Sequence, residues 1–293
     1  MHPAASVIIF TSLSGLGFGL LFFLGLGFPN VSGWQAFWFF FIAFALSVGG
    51  LLASTFHLGN PQRAMKAFSQ WRTSWLSREG VIAVAALLVM GAFAALLIFF
   101  DTRVAALGWL GSALSIGAVY CTSMIYGQLK TVPRWNMPIT PFLFLLYAIA
   151  GGALLSIQLG PAVILLIILT SVQIAAWFQG DMSFRAAGHN IESATGLGEL
   201  GKVRLLESPH SGENYLTREM VHIVGRKHAV KLRVIAALCL GPLPITVLYI
   251  FGLNYISVSM LVTIILHIIG LFVARWLFFA EAEHVVGLYY DKR

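Results

Sequence analysis

The chain has 293 residues, 59% of them hydrophobic and only 10% charged, with a mean hydropathy of +0.87; soluble domains carry about 25% charge, so a water-soluble fold is excluded. Its 18 Lys and Arg against 11 Asp and Glu leave a formal charge of +7, which in so apolar a chain reads as basic loops beside membrane spans and not as a nucleic-acid surface. Two cysteines, Cys121 and Cys239, lie far apart inside apolar runs and cannot supply the four thiolates of an iron–sulfur cluster or a structural zinc site, so cluster chemistry must belong to a partner.

A helix needs roughly 20 apolar residues to cross a bilayer, and eight such windows recur, which predicts an all-α polytopic bundle of eight transmembrane helices in one domain, 1–293. The Met1-His2-Pro3 start carries no basic stretch before its apolar run, so the first span, 6–28, is read as a retained helix and not a cleaved signal. Within it Gly15, Gly17 and Gly19 put small residues on helical faces, where they allow close helix packing. The second span, 34–55, leads into a polar link at 56–78, and spans at 79–100 and 104–126 follow. After a second polar link at 127–140 come spans at 139–159 and 161–179, then the longest link, 180–231, and finally spans at 232–251 and 256–280. Short links (29–33, 101–103, Gly160 and 252–255) alternate with the long ones.

An even span count puts both termini and all three long links on one side. That side holds Arg63, Lys66, Arg72, Arg78, Lys130, Arg134, Arg185, Lys202, Arg204, Arg218, Arg226, Lys227, Lys231, Arg233, Lys292 and Arg293, against Arg103 alone on the other. Basic residues near span ends stay in the cytoplasm, so the expected location is a bacterial inner membrane with cytoplasmic termini. The 180–231 link is too polar to build its own core and is a candidate docking segment for a cytoplasmic partner. Gly196-Leu-Gly-Glu-Leu-Gly201 fits a dinucleotide-binding pattern, but no strand precedes it and it reads as a turn-rich loop.

Ionisable residues at membrane depth cost about 2.5–3.5 kcal/mol each to insert and are functional candidates by default. His57 closes the second span and Glu79 opens the third, with Arg63 and Trp75 in the hairpin between them. An imidazole takes a proton, a guanidinium donates to a carbonyl or phenolate oxygen, and a carboxylate relays protons; together these are tools for quinone chemistry. Equally open is a structural role, with His57 capping a helix while Arg63 and Glu79 pair or face headgroups. In the last span His267 and Arg275 are eight residues apart and share a face, which suggests a polar seam with Arg275 compensated by Glu281 or Glu79. A haem ligand is the other reading of His267, but His57 lies nearer the surface and makes a poor axial partner.

Thr55-Phe-His57-Leu-Gly59-Asn-Pro61-Gln-Arg63-Ala64 with Leu76-Ser77-Arg78-Glu79, then Tyr126-Gly-Gln-Leu-Lys-Thr131-Val-Pro133-Arg-Trp135 and the Arg275 helix, resemble the membrane-anchor subunit family of dimethyl sulfoxide reductase over essentially the whole chain. The resemblance implies an anchor without haem or cluster of its own. It would exchange electrons between quinone or quinol (menaquinone or ubiquinone) and an iron–sulfur subunit serving a molybdopterin catalytic subunit. By the same resemblance His57, Arg63 and Glu79 form the catalytic quinone site, and Tyr126, Trp135 and Arg275 match family positions as further candidates for binding, packing or docking; Trp75, in the same hairpin, is a further binding candidate, and no metal ligand is expected. The Trp71-Arg-Thr-Ser-Trp75 stretch, the opening residues and the long link look closer to the branch in cytoplasmic sulfite-oxidising complexes, as does the charge-derived orientation. Electrons from sulfite would then pass to quinone. Within the family the reverse direction is the rival, with menaquinol feeding an S- or N-oxide reductase; from another class the rival is a transporter, for which no inverted repeat or pair of interrupted spans is seen.

Overall fold

A computed structural model describes residues 1–56, 60–207, 210, 212, 214–221, 227–251 and 256–290. Among these, no strand occurs. The helices are α1 (Ala5–Leu26), α2 (Gly33–Thr55), α3 (Trp75–Phe99), α4 (Ala105–Gly127), α5 (Ile139–Leu155), α6 (Leu159–Ala186), α7 (Ile191–Thr195), α8 (Ala229–Leu240), α9 (Pro242–Phe251) and α10 (Ile256–Ala280), with a 3-10 helix at Pro61–Gln70 between α2 and α3. Seven segments are long and apolar enough to cross a bilayer, α8 and α9 counting as one, and α5 is a shorter apolar helix of 17 residues. The eight predicted spans are therefore all present as helices.

α1 is the axis of the first half: 72% of its spanning window is buried, against 28% for α2. Its small residues explain how. A side chain on Gly19 would collide with the Ala148 carbonyl of α5, one on Gly17 with Ser47 of α2, and one on Gly25 with Gly108 and Ser112 of α4. Three neighbours thus approach the α1 backbone on three faces, the van der Waals packing that joins helices where lipid removes the hydrophobic drive. A side chain on Gly15 would meet nothing within 4 Å, so the expectation that it packs as Gly17 and Gly19 do is corrected.

Four spans differ from their expected bounds: α3 begins at Trp75, one turn before Glu79, α5 stops at Leu155 and not at 159, and two others differ for reasons visible in their contacts. α6 runs to Ala186, beyond 179, because the polar residues met there are compensated: Gly180 lets Arg134 lie against the backbone, and Asp181 is held by Arg134 and Arg233. The 232–251 span is two helices, broken at Gly241. Pro244 has no N–H to give the Leu240 carbonyl four residues before it, and that carbonyl instead lies 3.2 Å from Nδ1 of His267 on α10. Gly241 also admits Thr170 and the Leu166 carbonyl of α6, as Gly270 of α10 admits the backbone of α8 at Cys239 and Leu240.

The stretch after α6 is locally organised. Asn190 caps α7 reciprocally with Ser193, and Gly196 ends it in the left-handed region at φ +68°; the Gly196–Gly201 stretch is the turn-rich loop its sequence suggests. The two ends of the polypeptide tie this face together. The Met1 amino group donates to the Ala282 carbonyl at 2.7 Å, the His2 amide to Glu219 at 2.7 Å and the Val285 amide to Thr131 at 3.0 Å, while Tyr289 Oη donates to the Ala194 carbonyl.

Candidate functional site

The residues singled out in the sequence fall into two groups, both nearer the face that carries the termini. The first is the α2–α3 hairpin. His57 lies outside the described residues, and Arg63 falls in the Pro61–Gln70 helix with its side chain outside the described residues. This short helix packs down on α3 where Phe68 meets Gly80. Trp75 begins α3 half-buried, its ring edge-on to Tyr120 of α4 at 5.8 Å. Arg78 turns back over the Trp75 ring at 4.4 Å and donates to the carbonyls of Trp71 at 3.0 Å and Arg72 at 2.6 Å, which clasps the turn entering the helix. Glu79 is buried, 5% exposed, about 6 Å of helix rise beyond Trp75. Thr122 of α4 donates to its carboxylate. A buried carboxylate with a hydroxyl partner can exchange protons with a group above it, and the Pro61–Gln70 helix lies on the same stretch of α3.

The second group surrounds α10. Tyr126 ends α4 inside an aromatic cluster, with ring centroids 5.3 Å from Trp135, 5.8 Å from Phe144 and 5.5 Å from both Phe278 and Phe279. Trp135 stacks on Phe278 at 5.3 Å and donates through Nε1 to the Phe278 carbonyl at 2.8 Å, so the 127–140 link is anchored in the bundle. Arg275 is 3% exposed. Its guanidinium carbon lies 3.6 Å from the Phe144 ring centre and 4.8 Å from that of Tyr147, and its Nε has no hydrogen-bond partner among the described residues. The expected seam is present, since His267 and Arg275 are both buried. The expected compensation of Arg275 is corrected: Glu79 pairs with Thr122 and Glu281 with two other arginines, so Arg275 rests on aromatic faces instead.

Those two arginines belong to a network that sequence reasoning missed. Glu281 accepts from Arg134 at 3.2 Å and from Arg233 at 2.7 Å; Asp181 accepts from Arg233 at 2.7 and 2.6 Å and pairs with Arg134. Two cations and two carboxylates, drawn from the 127–140 link, α6, α8 and the end of α10, neutralise one another. In the sequence Arg134 and Arg233 are indistinguishable from orientation signals, Asp181 reads as part of the 180–231 link, and Glu281 reads as a partner for Arg275 and not for these two. Tyr147 and Gln173 were missed too: Tyr147 Oη donates to Gln173 Oε1 at 2.6 Å, buried between α5 and α6. Both cysteines are free and buried, and among the described residues no cluster of His, Cys, Asp and Glu could hold a metal ion.

The family model for the DMSO reductase anchor subunit (DmsC) matches residues 1–280. The chain belongs to that family. It is 31% identical to the C subunit of sulfite dehydrogenase from Allochromatium vinosum, over 99% of each protein. Similarity to the corresponding polypeptide of anaerobic dimethyl sulfoxide reductase is shorter: 32% identity over 36% of this sequence and 38% of the Escherichia coli protein, and 29% over 41% and 43% for the Haemophilus influenzae protein. No solved structure matches. The family resemblance borne by the hairpin, the Tyr126–Trp135 stretch and the last helix is thus met over nearly the whole sequence, and an all-helical membrane-integral protein is what the fold provides.

Proposed function

We propose that this protein is the quinone-reactive membrane anchor of a molybdopterin and iron–sulfur oxidoreductase, receiving electrons from sulfite oxidation through an iron–sulfur partner and passing them to membrane quinone. The observation that carries the reading is the end-to-end similarity to a sulfite dehydrogenase component, beside which the reductase polypeptides match only part of the sequence. Sulfite and water give sulfate, two protons and two electrons; quinone takes two electrons and two protons to become quinol. The anchor's part is to hold the ring and deliver the protons. In this reading Arg63 donates to a quinone carbonyl and stabilises the negative charge that develops on it, and His57 gives the proton. Glu79, held by Thr122, restores that proton from the face bearing the termini, and the half-buried Trp75 walls the site. Tyr126 and Trp135 position the link beside it, where a partner docks.

The test is a pull-down of the tagged protein from native membranes, with the captured material assayed for molybdenum, iron and sulfite-dependent reduction of a quinone analogue. Sulfite-driven reduction, lost by a factor of about ten or more in His57→Ala and Glu79→Gln with the complex still assembled, is the expected result, equivalent to about 1.4 kcal/mol of barrier. The partial reductase matches support a second reading, quinol oxidation feeding an S- or N-oxide reductase; activity only with such acceptors selects it. Capture of no metal-bearing partner overturns both.

A further inference from the structure

Two cavities share a wall on the side of the bundle that bears the termini. The outer one is a cleft of about 250 Å³ lined by Asp181, Arg233 and Glu283 together with Arg134 and Glu281. The inner one is a chamber of about 40 Å³ among α5, α6 and α10 that starts at the same Arg134 and Glu281 and reaches Tyr147, Gln173 and Arg275. Arg275 precedes Glu281 by six residues, about 9 Å of helix rise toward the middle of the bilayer. A water molecule needs about 10–15 Å³ of such space, so the chamber has room for about three waters and none for an organic ring or a headgroup.

The groups around the chamber are short of acceptors. Phe144 and Tyr147 offer Arg275 their rings, yet its buried Nε has no hydrogen-bond partner among the described residues. Glu281 is committed to Arg134 and Arg233. Tyr147 Oη donates to the Gln173 side-chain carbonyl, so Gln173 has amide N–H groups left to donate. Buried donors without an acceptor are costly, and both sets here border one small polar chamber next to a cleft on the aqueous face, which is what an internal water site requires. A bound anion is opposed by the Glu281 carboxylate in the same wall. We infer that cleft and chamber form a water inlet: water entering past Arg134 and Glu281 accepts from Arg275 Nε and from the Gln173 amide, and so solvates the Arg275 charge at membrane depth without a paired acid. The inference concerns the hydration of this chain and does not depend on its being a quinone-reactive anchor.

The experiment is X-ray radiolytic footprinting of the purified full chain in lipid nanodiscs, in which hydroxyl radicals made from bound water oxidise the side chains beside it and mass spectrometry locates the products. Tyr147 and Trp177 line the chamber; Tyr126 and Trp135 are the same residue types, buried in the neighbouring aromatic cluster. Tyr147 is 3% exposed and Tyr126 8%, so surface exposure alone makes Tyr126 the faster to react. A hydrated chamber reverses that order: Tyr147 is expected to react severalfold faster than Tyr126, and Trp177 severalfold faster than Trp135. Ala176 of α6 and Ala274 of α10 also line the chamber, and Ala176→Leu and Ala274→Leu, which fill it from different helices, are each expected to bring both rates down to those of the controls; either variant that reaches the membrane suffices. Rates at Tyr147 and Trp177 no higher than at the controls overturn the inference, as does excess oxidation that persists in the filled variants. Suppression of that oxidation by chloride, relative to a chloride-free buffer, also overturns it by assigning the chamber to a halide ion.

Discussion

His267 has a specific structural task. With Pro244 in place the Leu240 carbonyl has no amide to receive, and a buried unpaired carbonyl costs about 1–3 kcal/mol. The geometry makes Nδ1–H the donor, leaving Nε2 without a partner among the described residues. His267→Leu is therefore expected to destabilise the purified protein by about 1–3 kcal/mol, and adding Pro244→Ala, which supplies an amide within α9, should recover a large part of the loss. Thermal unfolding of the two single variants and the double variant measures this coupling, and strict additivity would remove His267 from the role. At the hairpin, Thr122→Val deletes the hydroxyl that donates to Glu79. A fall of roughly tenfold in quinone-linked turnover is expected, about 1.4 kcal/mol of barrier, with assembly unchanged on a native gel.

Elements pack here by absence of side chains, and that is testable position by position. Gly19→Val would drive its side chain into the Ala148 backbone and Gly15→Ala would enter open space. The first is expected to lower the amount of protein accumulating in the membrane, with at least about 1–3 kcal/mol of overpacking, and the second to change stability by less than about 0.5 kcal/mol. Sequence could not tell these two glycines apart, since both satisfy the same small-residue pattern and only the neighbours' positions decide. Span existence was legible, because apolar length alone reports it. The break at Gly241 was not: the apolar run is continuous across it, and the significance of Pro244 depends on a carbonyl acceptor's finding His267 from another helix. Trp135 and Tyr126 were legible as candidates through family resemblance, yet their mutual contact was not. The four-charge network was the least legible feature, since its members come from four separate stretches: Arg134, Asp181 and Arg233 each read alone as a loop charge, and Glu281 reads as a partner for Arg275.

The segment after α10 adds a pH response at the same scale. His284 accepts from the Val286 amide through Nδ1 at 3.0 Å. Burial, then the nearby Met1 amino group, holds its imidazole below the ordinary histidine range. A histidine depressed in the folded state penalises folding once pH drops below the unfolded value near 6.5, because only the unfolded form then gains the proton freely. Protonation also removes the Nδ1 acceptor. Hydrogen exchange at Val286 and Gly287 is expected to accelerate, relative to the intrinsic rate, as pH falls from about one unit above that value to about one unit below it, and His284→Gln to abolish that extra acceleration.

At the scale of the whole molecule, the two ends of the polypeptide, the 127–140 link and the segment after α6 converge on one face through Met1–Ala282, His2–Glu219, Val285–Thr131 and Tyr289–Ala194. The opposite face has short turns, with Arg103 lying against Gly27. By their positions in the sequence nearly all the basic residues belong to the links and ends of the first face, so retention of positive charge predicts that this face meets the cytoplasm. Orientation is what separates a cytoplasmic sulfite-oxidising complex from one whose catalytic subunits work outside. Cysteines introduced at Asp101 on the short-turn face and at Asn136 and Glu199 on the other, all exposed, report the orientation, and the native Cys121 and Cys239 are buried and give a quiet background. In intact spheroplasts a membrane-impermeant maleimide is expected to label Asp101→Cys and to leave Asn136→Cys and Glu199→Cys unlabelled until the membrane is opened. The inverse pattern would turn the docking face outward, and with it the proton supply to Glu79, and would move the assignment to a complex that reduces or oxidises its substrate outside the cell.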